Sequence, residues 1–328
     1  MGLDSKSIFS ETILKGKVAL ITGGGSGLGR DIATHYGRHG AKVALMGRRK
    51  HVLEETAGAM RAQGITVIAV DGDVKKRDDA VRVVKTVVQE LGRLDILINA
   101  AAGNFLAAAE DLSPNGFRAV MEVDAIGTYT MCHAALHYLK RGAPGKQPNE
   151  LGGVIINITA TVQSRAMWYQ THFSAAKSAI DSLSRSMALE WGTDFGIRVN
   201  NLCPGVISDT PGMSKLGSVF GAKDDNDQEA YKNVVPLGGM GEKWDVSMAA
   251  IYLASDAAKY VNGASLGVDG GLWIGQPRRV DNETVRQFSR EYENARKAPV
   301  KSTASCLISG SLHLDVVVVI MIKDVNFN

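Results

Sequence analysis

The sequence predicts a single doubly wound Rossmann domain of the α/β class, with a parallel sheet covered by helices on both faces. Three observations support this prediction. Short apolar runs such as Lys17–Thr22 and Ala41–Met46 alternate with longer segments of helical periodicity such as Asp78–Leu91. The runs are almost continuously apolar, which is typical of parallel strands buried on both faces. A glycine-rich turn joins the first run to the first helical segment.

The strands and helices follow each other in regular alternation along the first 275 residues. Seven segments are predicted as strands: Lys17–Thr22, Ala41–Met46, Thr66–Val70, Leu94–Asn99, Gly153–Thr159, Arg198–Leu202 and Ala264–Val268. The helical segments are one from the glycine-rich turn to His39, His51–Gln63, Asp78–Leu91, one or two within Pro114–Arg141, Ser174–Glu190 and Trp244–Ala254. The segment Gly142–Gly153, with two prolines and four glycines, is predicted to be a surface insertion.

The pattern changes at both ends of the chain. We predict an N-terminal extension over residues 1–14, one domain over 15–275, and a C-terminal helical extension over 276–300 that contains the charged helix Glu283–Lys297. Residues 301–328 contain a short apolar run, Val316–Ile322, that has no partner pattern. This tail is predicted to be disordered or atypical.

Composition excludes several classes of protein. The net charge of the 328 residues is only +3, which is too small to indicate a nucleic-acid surface. The three cysteines, Cys132, Cys203 and Cys306, lie far apart and predict neither a disulfide framework nor a zinc ribbon. His133 and His137 supply at most half a metal site, so we expect no metal. No apolar run approaches the ~20 residues of a membrane helix, and we expect a soluble intracellular protein.

The glycine-rich turn predicts a nucleotide site. Glycines let main-chain N–H groups and a helix N-terminus approach a pyrophosphate without an intervening side chain. Neither the strict G-x-G-x-x-G pattern nor a P-loop fits this turn, whereas T-G-x-x-x-G-x-G does. The predicted cofactor-binding residues of the turn are Gly23, Gly25, Ser26, Gly27, Leu28 and Gly29.

The end of the second strand indicates which dinucleotide is bound. Enzymes that use NAD usually carry an acidic residue there, which bonds the ribose 2′-hydroxyl. Here the strand is followed by Arg48, Arg49 and Lys50, with no carboxylate. Because an arginine can donate two N–H bonds to a 2′-phosphate, the sequence predicts NADPH.

With these motifs the chain resembles the short-chain dehydrogenase/reductase family from about residue 15 to residue 273. The further motifs are Asp73-Val74, Asn99-Ala100-Ala101-Ala102-Gly103, Lys177 and Pro204-Gly205. The resemblance implies that Asp73 and Val74 contact the adenine and that Asn99 and Gly103 pack against the cofactor. It also implies that Lys177 holds the nicotinamide ribose. The cofactor is further covered by Pro204, Gly205, Ile207 and Thr210.

Three positions depart from the family pattern. The usual tyrosine acid, four residues before Lys177, is Phe173; the usual serine is Ala160, and the usual asparagine is Asp124. Carbonyl reduction without an acid would leave an alkoxide, which disfavours a ketoreductase. Two alternatives stay open: a catalytically silent protein that binds NADPH, or an enzyme whose acceptor is a conjugated C=C bond.

The second alternative is supported by a closer resemblance within the family, to the peroxisomal members that reduce 2,4-dienoyl-CoA to 3-enoyl-CoA during degradation of unsaturated fatty acids. It rests on Asn99–Phe105, Leu112–Asn115, Asp124 and Thr159–Thr161. It implies that Asp124 relays a proton together with Lys177. The implied acyl-CoA residues are Lys75, Phe105, Ser113, Pro114, Asn115 and Lys215. A reductase of trans-2-enoyl-CoA is the enzyme alternative.

Two further groups of residues could serve the substrate. Thr159 and Thr161 could donate to the enolate oxygen, and only one of them is expected to point inward if both lie on a strand. His172 could be an acid, or a loop histidine that touches substrate or solvent.

The resemblance also implies a homotetramer and a peroxisomal location. Peroxisomal members of the family end in Ser-Lys-Leu, a signal that is read at a free C-terminus. The last residues of this sequence are Asp324–Asn328, and its Ser-Lys-Leu is internal, at Ser214–Leu216. We therefore expect a cytosolic protein if this tail is genuine.

Overall fold

A seven-stranded parallel sheet forms the centre of the molecule in the computed structural model, which describes residues 8–147, 150–163, 166–216, 223–275 and 282–297. The strands lie in the order β3-β2-β1-β4-β5-β6-β7, and each neighbouring pair is parallel. Their bounds are β1 Val18–Thr22, β2 Lys42–Gly47, β3 Val67–Asp71, β4 Ile96–Asn99, β5 Val154–Ile158, β6 Arg198–Pro204 and β7 Ser265–Val268. The predicted fold class and all seven strands are confirmed, with shifts of one or two residues at their ends.

Helices connect the strands and cover both faces of the sheet. They are α1 Gly27–Arg38, α2 Lys50–Arg61, α3 Arg77–Leu91, α4 Pro114–Met121, α5 Gly127–Leu139, α6 Thr171–Phe195, α7 Pro211–Leu216, α8 Gln228–Tyr231, α9 Lys243–Ala254 and α10 Asn282–Lys297. Short 3-10 turns span Thr161–Gln163 and Asp256–Ala258, and a π-helical turn spans Glu122–Ile126.

Two features of the helices affect the site. The stretch Pro114–Arg141, predicted to hold one or two helices, forms two, α4 and α5, joined through the π-helical turn that carries Asp124. Helix α6 begins at Thr171, three residues earlier than predicted, so Phe173 and Lys177 lie one turn apart on the same helix.

The core has one apolar layer on each face of the sheet. Alternate side chains of β1 supply the two layers, since successive side chains of a strand point to opposite faces. Ile21 packs in the layer that includes buried residues of α1, α2 and α9. Leu20 packs in the layer that includes buried residues of α3, α5 and α6. All of β1 is buried, which explains its unbroken apolar sequence.

The order of the strands creates a crevice at the carboxyl end of β1. This strand pairs with β2 on one side and with β4 on the other, so the connections leaving β1 and β4 run in opposite directions. Ligands of doubly wound folds bind in such crevices, outside the carboxyl ends of the strands.

The chain divides into two compact units, residues 1–278 and 279–328. Of the second unit the structure describes α10, which exposes Val285, Phe288 and Tyr292. The predicted tail 301–328 lies outside the described residues, as do residues 1–7. Within the described ranges, none of the helices is both long enough and apolar enough to cross a bilayer.

Candidate active site

A cavity of about 700 Å³ opens at the carboxyl ends of the central strands. It is lined by the glycine-rich turn after β1, the end of β2, the segment after β3, and residues that follow β4, β5 and β6. The structure brings most of the predicted cofactor residues together here. The lining residues among them are Gly23, Gly25, Ser26, Gly27, Leu28, Gly29, Arg48, Arg49, Asp73, Val74, Gly103, Lys177, Pro204, Gly205, Ile207 and Thr210.

Two glycines of the turn are required by close packing. A Cβ on Gly29, in the first turn of α1, would lie 2.5 Å from the carbonyl oxygen of Gly23. Gly23 itself has a φ of +67°, and a Cβ there would lie 2.8 Å from the carbonyl oxygen of Ala100. Any larger residue would push α1 and the turn away from the strands. The turn therefore forms a cradle whose floor is bare main chain.

The far end of the cradle is cationic. Arg48 and Arg49 follow β2, are exposed, and line the cavity. Asp73, after β3, accepts from the main-chain N–H of Lys75 at 3.1 Å and donates its own N–H to Asp79 at 3.0 Å. The Asp73 main-chain N–H lowers the pKa of the Asp79 carboxyl, and Arg82 adds to this effect.

Asn99 is absent from the cavity lining, although it is one of the predicted cofactor residues. It is buried at the end of β4, where its Nδ2 donates to Oδ1 of Asn157 on β5 at 2.8 Å. The hydroxyl oxygen of Thr22 accepts from the N–H groups of Ala100 and Ala101, each at 3.1 Å. Asn99 and Thr22 hold the ends of the three strands in register behind the cavity wall.

Asp124 and Lys177 form a buried ion pair beside the cavity. The Lys177 Nζ lies 3.0 Å from the Asp124 Oδ2, and the two side chains are 3% and 0% exposed. Gly103 donates its N–H to the other carboxylate oxygen at 2.8 Å, and Lys177 also donates to the carbonyl oxygen of Ile158 at 3.0 Å. Apart from the contact with Lys177, Oδ2 accepts no hydrogen bond from the described residues. Lys177 lines the cavity, and Asp124 lies behind it.

The π-helical turn and its packing explain how Asp124 reaches this position. Such turns insert an extra residue into a helix and are frequent at functional sites. Directly after the turn, a Cβ on Gly127 would lie 2.7 Å from Cγ2 of Val74. The small residue allows the start of α5 to lie against the segment after β3, which lines part of the cavity.

Phe173 occupies the place of the family tyrosine and lines the cavity. Its ring centroid lies 5.2 Å from the Lys177 Nζ, in a cation–π contact. The ring offers no proton. At the position where most members of the family have a hydroxyl acid, this protein therefore has the apolar ring of Phe173 beside the ammonium group of Lys177.

Thr159 and Thr161 both line the cavity. The expectation that only one of them points inward assumed that both lie on a strand. Because β5 ends at Ile158, the alternation of a strand does not apply to either residue. Thr161 lies in the following 3-10 turn. The Thr159 hydroxyl donates to the carbonyl oxygen of Leu202 at 3.4 Å and lies 3.0 Å from the Cys203 sulfur, so it is directed towards β6.

The predicted acyl-CoA residues form a second group, outside the lining of the main cavity. A Cβ on Gly116 would lie 3.1 Å from Cζ of Phe105 and 3.3 Å from the Ser113 hydroxyl, so the ring packs on the first turn of α4. Ser113 caps this helix by accepting from the Gly116 N–H, and Pro114 is its first residue. Asn115 Oδ1 accepts from Arg118 at 3.1 Å.

The two predicted lysines are placed differently. Lys75 lies apart from the cavity lining, and its Nζ is 4.0 Å from a carboxylate oxygen of Glu122 in a partly exposed pair. The main chain of Lys215 belongs to α7, and its side chain lies outside the described part of the structure.

His172 does not fit the expectation of a loop histidine that touches substrate or solvent. It lies in the first turn of α6, is 0% exposed, and its ring stacks on Phe105 with centroids 4.2 Å apart. Burial lowers the pKa of His172, against smaller opposing effects of the Phe105 main chain and the Asp124 charge. Neither ring nitrogen has a well-aligned hydrogen bond to any described residue.

Several lining residues were not singled out from the sequence. They are loop residues and residues of short helices without periodicity or motif: Met167, Gln170, Met213, Ala230, Tyr231, Val234 and Leu272. Met213, Tyr231 and Leu272 also belong to a small apolar cluster. His133 and His137 are exposed on α5, and the described residues contain no group of three or more metal-ligating side chains.

Fold and site together define an oxidoreductase that uses a nicotinamide cofactor. A family model described as enoyl-(acyl carrier protein) reductase matches residues 23–273. A solved short-chain dehydrogenase from Bacillus anthracis is 34% identical, with a TM-score of 0.68 over 79% of this chain and 98% of that one. The chain therefore belongs to the short-chain dehydrogenase/reductase family.

Two relatives extend the likeness over most of the chain. The peroxisomal 2,4-dienoyl-CoA reductase of Arabidopsis thaliana, named as producing (3E)-enoyl-CoA, is 54% identical over 292 residues, 89% of this chain and 96% of the relative. The mouse protein of the same name is 38% identical over 274 residues, 83% of this chain and 89% of the relative.

Proposed function

We propose that this protein reduces 2,4-dienoyl-CoA to 3-enoyl-CoA with NADPH, in the degradation of unsaturated fatty acids. The observation that carries the proposal is the buried Asp124–Lys177 pair beside a phenylalanine, Phe173, in place of a hydroxyl acid. The names of the plant and mouse relatives support the same acceptor.

A conjugated thioester suits this arrangement of charges. NADPH, when bound, supplies a hydride. Addition at C5 of a 2,4-dienoyl thioester sends negative charge towards the thioester oxygen, and a proton is then needed at C2, a carbon atom. The Lys177 ammonium lines the cavity and favours the developing charge. Asp124 supplies the opposite charge that a buried ammonium requires, and together with Lys177 it relays the proton through water.

The cradle fits a dinucleotide with a 2′-phosphate. A Cβ on Gly23 or Gly29 would collide with the main chain, so the turn stays free of side chains at these positions. The bare main chain allows N–H groups to approach a pyrophosphate. Arg48 and Arg49, at the end of β2, are positioned to hold the additional phosphate. We infer that NADPH is preferred over NADH.

The acyl-CoA is proposed to bind along the group formed by Phe105, Ser113, Pro114 and Asn115. This group lies at the N-terminus of α4, and Phe105 stacks on His172. Gly103, two residues before Phe105, is bonded to Asp124 of the ion pair. Lys75 and Lys215 would meet the CoA phosphates.

A reductase of trans-2-enoyl-CoA is the second candidate, favoured by the description of the matching family model. It keeps the hydride chemistry and changes only the acceptor. A silent NADPH-binding protein is disfavoured, because burying a carboxylate and an ammonium costs free energy that a binding role does not require.

Consumption of NADPH with three acceptors tests the proposal. 2,4-Hexadienoyl-CoA, crotonyl-CoA and acetoacetyl-CoA are compared at equal concentration by the loss of NADPH absorbance. We expect the dienoyl thioester to be reduced fastest and the ketone to be inert. Preference for crotonyl-CoA would favour the second candidate, and inertness towards all three would favour a silent protein.

The proposed assembly is a homotetramer. Ile126, Tyr129 and Leu189 are large apolar side chains exposed at the start of α5 and on α6. Exposed apolar surface of this kind marks association sites. Light scattering after size-exclusion chromatography should give four times the chain mass, and Leu189→Glu should lower it.

The proposed location is the peroxisome, on the names of the plant and mouse relatives. The last residues of the chain lie outside those that the structure describes. A fluorescent protein fused to the N-terminus of the chain tests the location. Peroxisomal puncta would support the peroxisome, and a uniform cytosolic signal would contradict it and support the cytosolic location expected if the tail is genuine.

A further inference from the structure

His172 belongs to a set of contacts between two segments that border the cavity, residues 103–107 and 169–172. The Ala107 N–H donates to the carbonyl oxygen of Tyr169 at 3.0 Å. The side chains of Asn104 and Gln170 are joined at 3.4 Å, and the rings of Phe105 and His172 are stacked at 4.2 Å.

The first of these two segments also binds the carboxylate of Asp124. Gly103, its first residue, donates its N–H to Asp124 Oδ1 at 2.8 Å. His172 and Asp124 are therefore fixed by neighbouring residues of one segment, Phe105 and Gly103. The Asp124 charge is also one of the influences that favour the protonated form of His172.

Both groups carry buried polar atoms without a well-aligned partner. These atoms are the two ring nitrogens of His172 and Oδ2 of Asp124, in side chains that are 0% exposed. The Lys177 ammonium, 3.0 Å from Oδ2, and a hydrogen bond between the Phe105 main chain and His172 satisfy these atoms only in part. The remaining hydrogen-bonding capacity of buried polar atoms in folded proteins is usually satisfied by ordered water. A neutral imidazole has one donor and one acceptor, and a carboxylate oxygen accepts; a water molecule can serve both.

We propose that His172 is a positioning residue of the proton relay, holding an ordered water molecule that donates to Asp124 Oδ2. The inference rests on the proposed function. One solvent proton is consumed in each turnover, and it ends in the new C–H bond at C2. The water passes a proton towards the pair and takes one from a neighbouring water, so a neutral His172 and an ionised Asp124 end the cycle in the protonation states in which they began it.

Two kinds of variant separate this role from packing. His172→Phe keeps an aromatic ring to stack on Phe105 and removes both nitrogens, whereas His172→Asn and His172→Gln keep a polar group near one nitrogen or the other. With 2,4-hexadienoyl-CoA we expect His172→Phe to lower kcat on the order of tenfold, below the usual span of direct acid–base catalysis. The KM for the acyl-CoA should stay within about twofold, because the stacked ring is retained. At least one amide variant should recover part of kcat.

Isotope effects give a readout that a packing role would not change. In His172→Phe the solvent deuterium effect on kcat should rise, and the effect of deuterium at the transferred position of NADPH should fall, because proton delivery becomes slower. An unchanged kcat and unchanged isotope effects in His172→Phe would overturn the inference while the proposed function stands. If His172→Phe fails to fold, as judged by its melting temperature, the amide variants carry the same test.

Nitrogen NMR of the cofactor-free enzyme provides a test independent of activity. The chain has seven histidines, and loss of one signal in His172→Phe assigns the ring. We expect ¹⁵N shifts of a neutral, hydrogen-bonded imidazole, and a change in them in Asp124→Asn. The water bridge would be contradicted by ¹⁵N shifts typical of a ring without hydrogen bonds that are the same in the wild type and in Asp124→Asn. This outcome does not depend on whether the wild-type enzyme reduces dienoyl-CoA.

Discussion

The Lys177 ammonium lies 3.0 Å from the Asp124 carboxylate, and both side chains are shielded from solvent. The two residues come from α6 and from the π-helical turn before α5, and of the two it is Lys177 that lines the cavity. Since each buried charge depends on the other, removal of either partner leaves an uncompensated charge. The pair therefore governs both the chemistry and the sensitivity of the site to substitution.

Removal of the Asp124 carboxylate should stop proton delivery. We expect Asp124→Ala to lower kcat for 2,4-hexadienoyl-CoA by about 10²–10⁴-fold, the usual span of acid–base catalysis. Asp124→Asn keeps an acceptor for the Gly103 N–H and should lower kcat in the same range, which separates charge from shape. The dissociation constant of NADPH, measured by fluorescence, is the control and should change little. Full activity of Asp124→Asn would remove the carboxylate from the mechanism.

Arg48 should determine the choice of cofactor. We expect Arg48→Ala to raise the KM for NADPH and to leave the KM for NADH nearly unchanged. The reason is that the 2′-hydroxyl of NADH carries no negative charge with which the guanidinium could form a charge-assisted hydrogen bond. The loss of a charge-assisted bond should cost about 1.5–3 kcal/mol, or roughly 10–150-fold in affinity. Arg38→Ala, on α1 and bonded to Gln63, is a matched control that should affect neither cofactor. Equal damage to both cofactors by Arg48→Ala would contradict the assignment.

Phe173 should be dispensable for proton transfer. Phe173→Leu keeps the apolar character and loses the cation–π contact with Lys177, which is worth about 0.5–2 kcal/mol. We therefore expect a decrease in kcat of at most about thirtyfold, smaller than for Asp124→Ala. A loss of activity as large as that of Asp124→Ala would indicate that the ring has a direct part in the reaction.

The Arg93–Glu150 pair predicts a pH-dependent part of stability. Hydrogen bonding to Arg93 lowers the pKa of Glu150 below its ordinary value of 4.5. A carboxylate whose pKa is lowered in the folded state stabilises the protein above its unfolded pKa, and this stability is lost as pH falls through the folded pKa. Glu150→Gln should thus melt about 1–3 °C lower at pH 7, and the gap should close below pH 4.5.

A more exposed ion pair is the control for this prediction. Glu229→Gln removes a carboxylate that contacts Lys232 on the surface of α8, where both side chains are more than half exposed. We expect no measurable change in melting temperature at either pH. A gap between wild type and Glu150→Gln that persists unchanged at low pH would show that packing, rather than charge, is responsible.

The sheet was predictable because its strands carry a strong local signal. Strands such as β1 are buried along their whole length and read as unbroken apolar runs. The glycine-rich turn was also predictable, because close main-chain contacts at Gly23 and Gly29 exclude any other residue. The predicted ion pair of Asp124 and Lys177 is present, although the resemblance to the family, rather than spacing, indicated it.

Other features depend on contacts that no local pattern reports. Helix α6 begins without a side-chain cap at Gln170, so its first turn carries no start signal in the sequence. The burial of His172 results from stacking on Phe105, 67 positions away, and could not be read from its own neighbours. The prediction for Thr159 and Thr161 assumed the alternating side-chain directions of a strand. Because β5 ends at Ile158 and Thr161 lies in a 3-10 turn, this alternation applies to neither residue.

The position of deuterium in the product is the most direct test of the central claim. 2,4-Hexadienoyl-CoA is reduced in ordinary water with NADPH that carries deuterium at the transferred position, and the acyl product is examined by NMR. We predict deuterium at C5, two hydrogens at C2, and a double bond between C3 and C4. Deuterium at C3 with the C4–C5 double bond intact would identify an enoyl-CoA reductase and contradict the account.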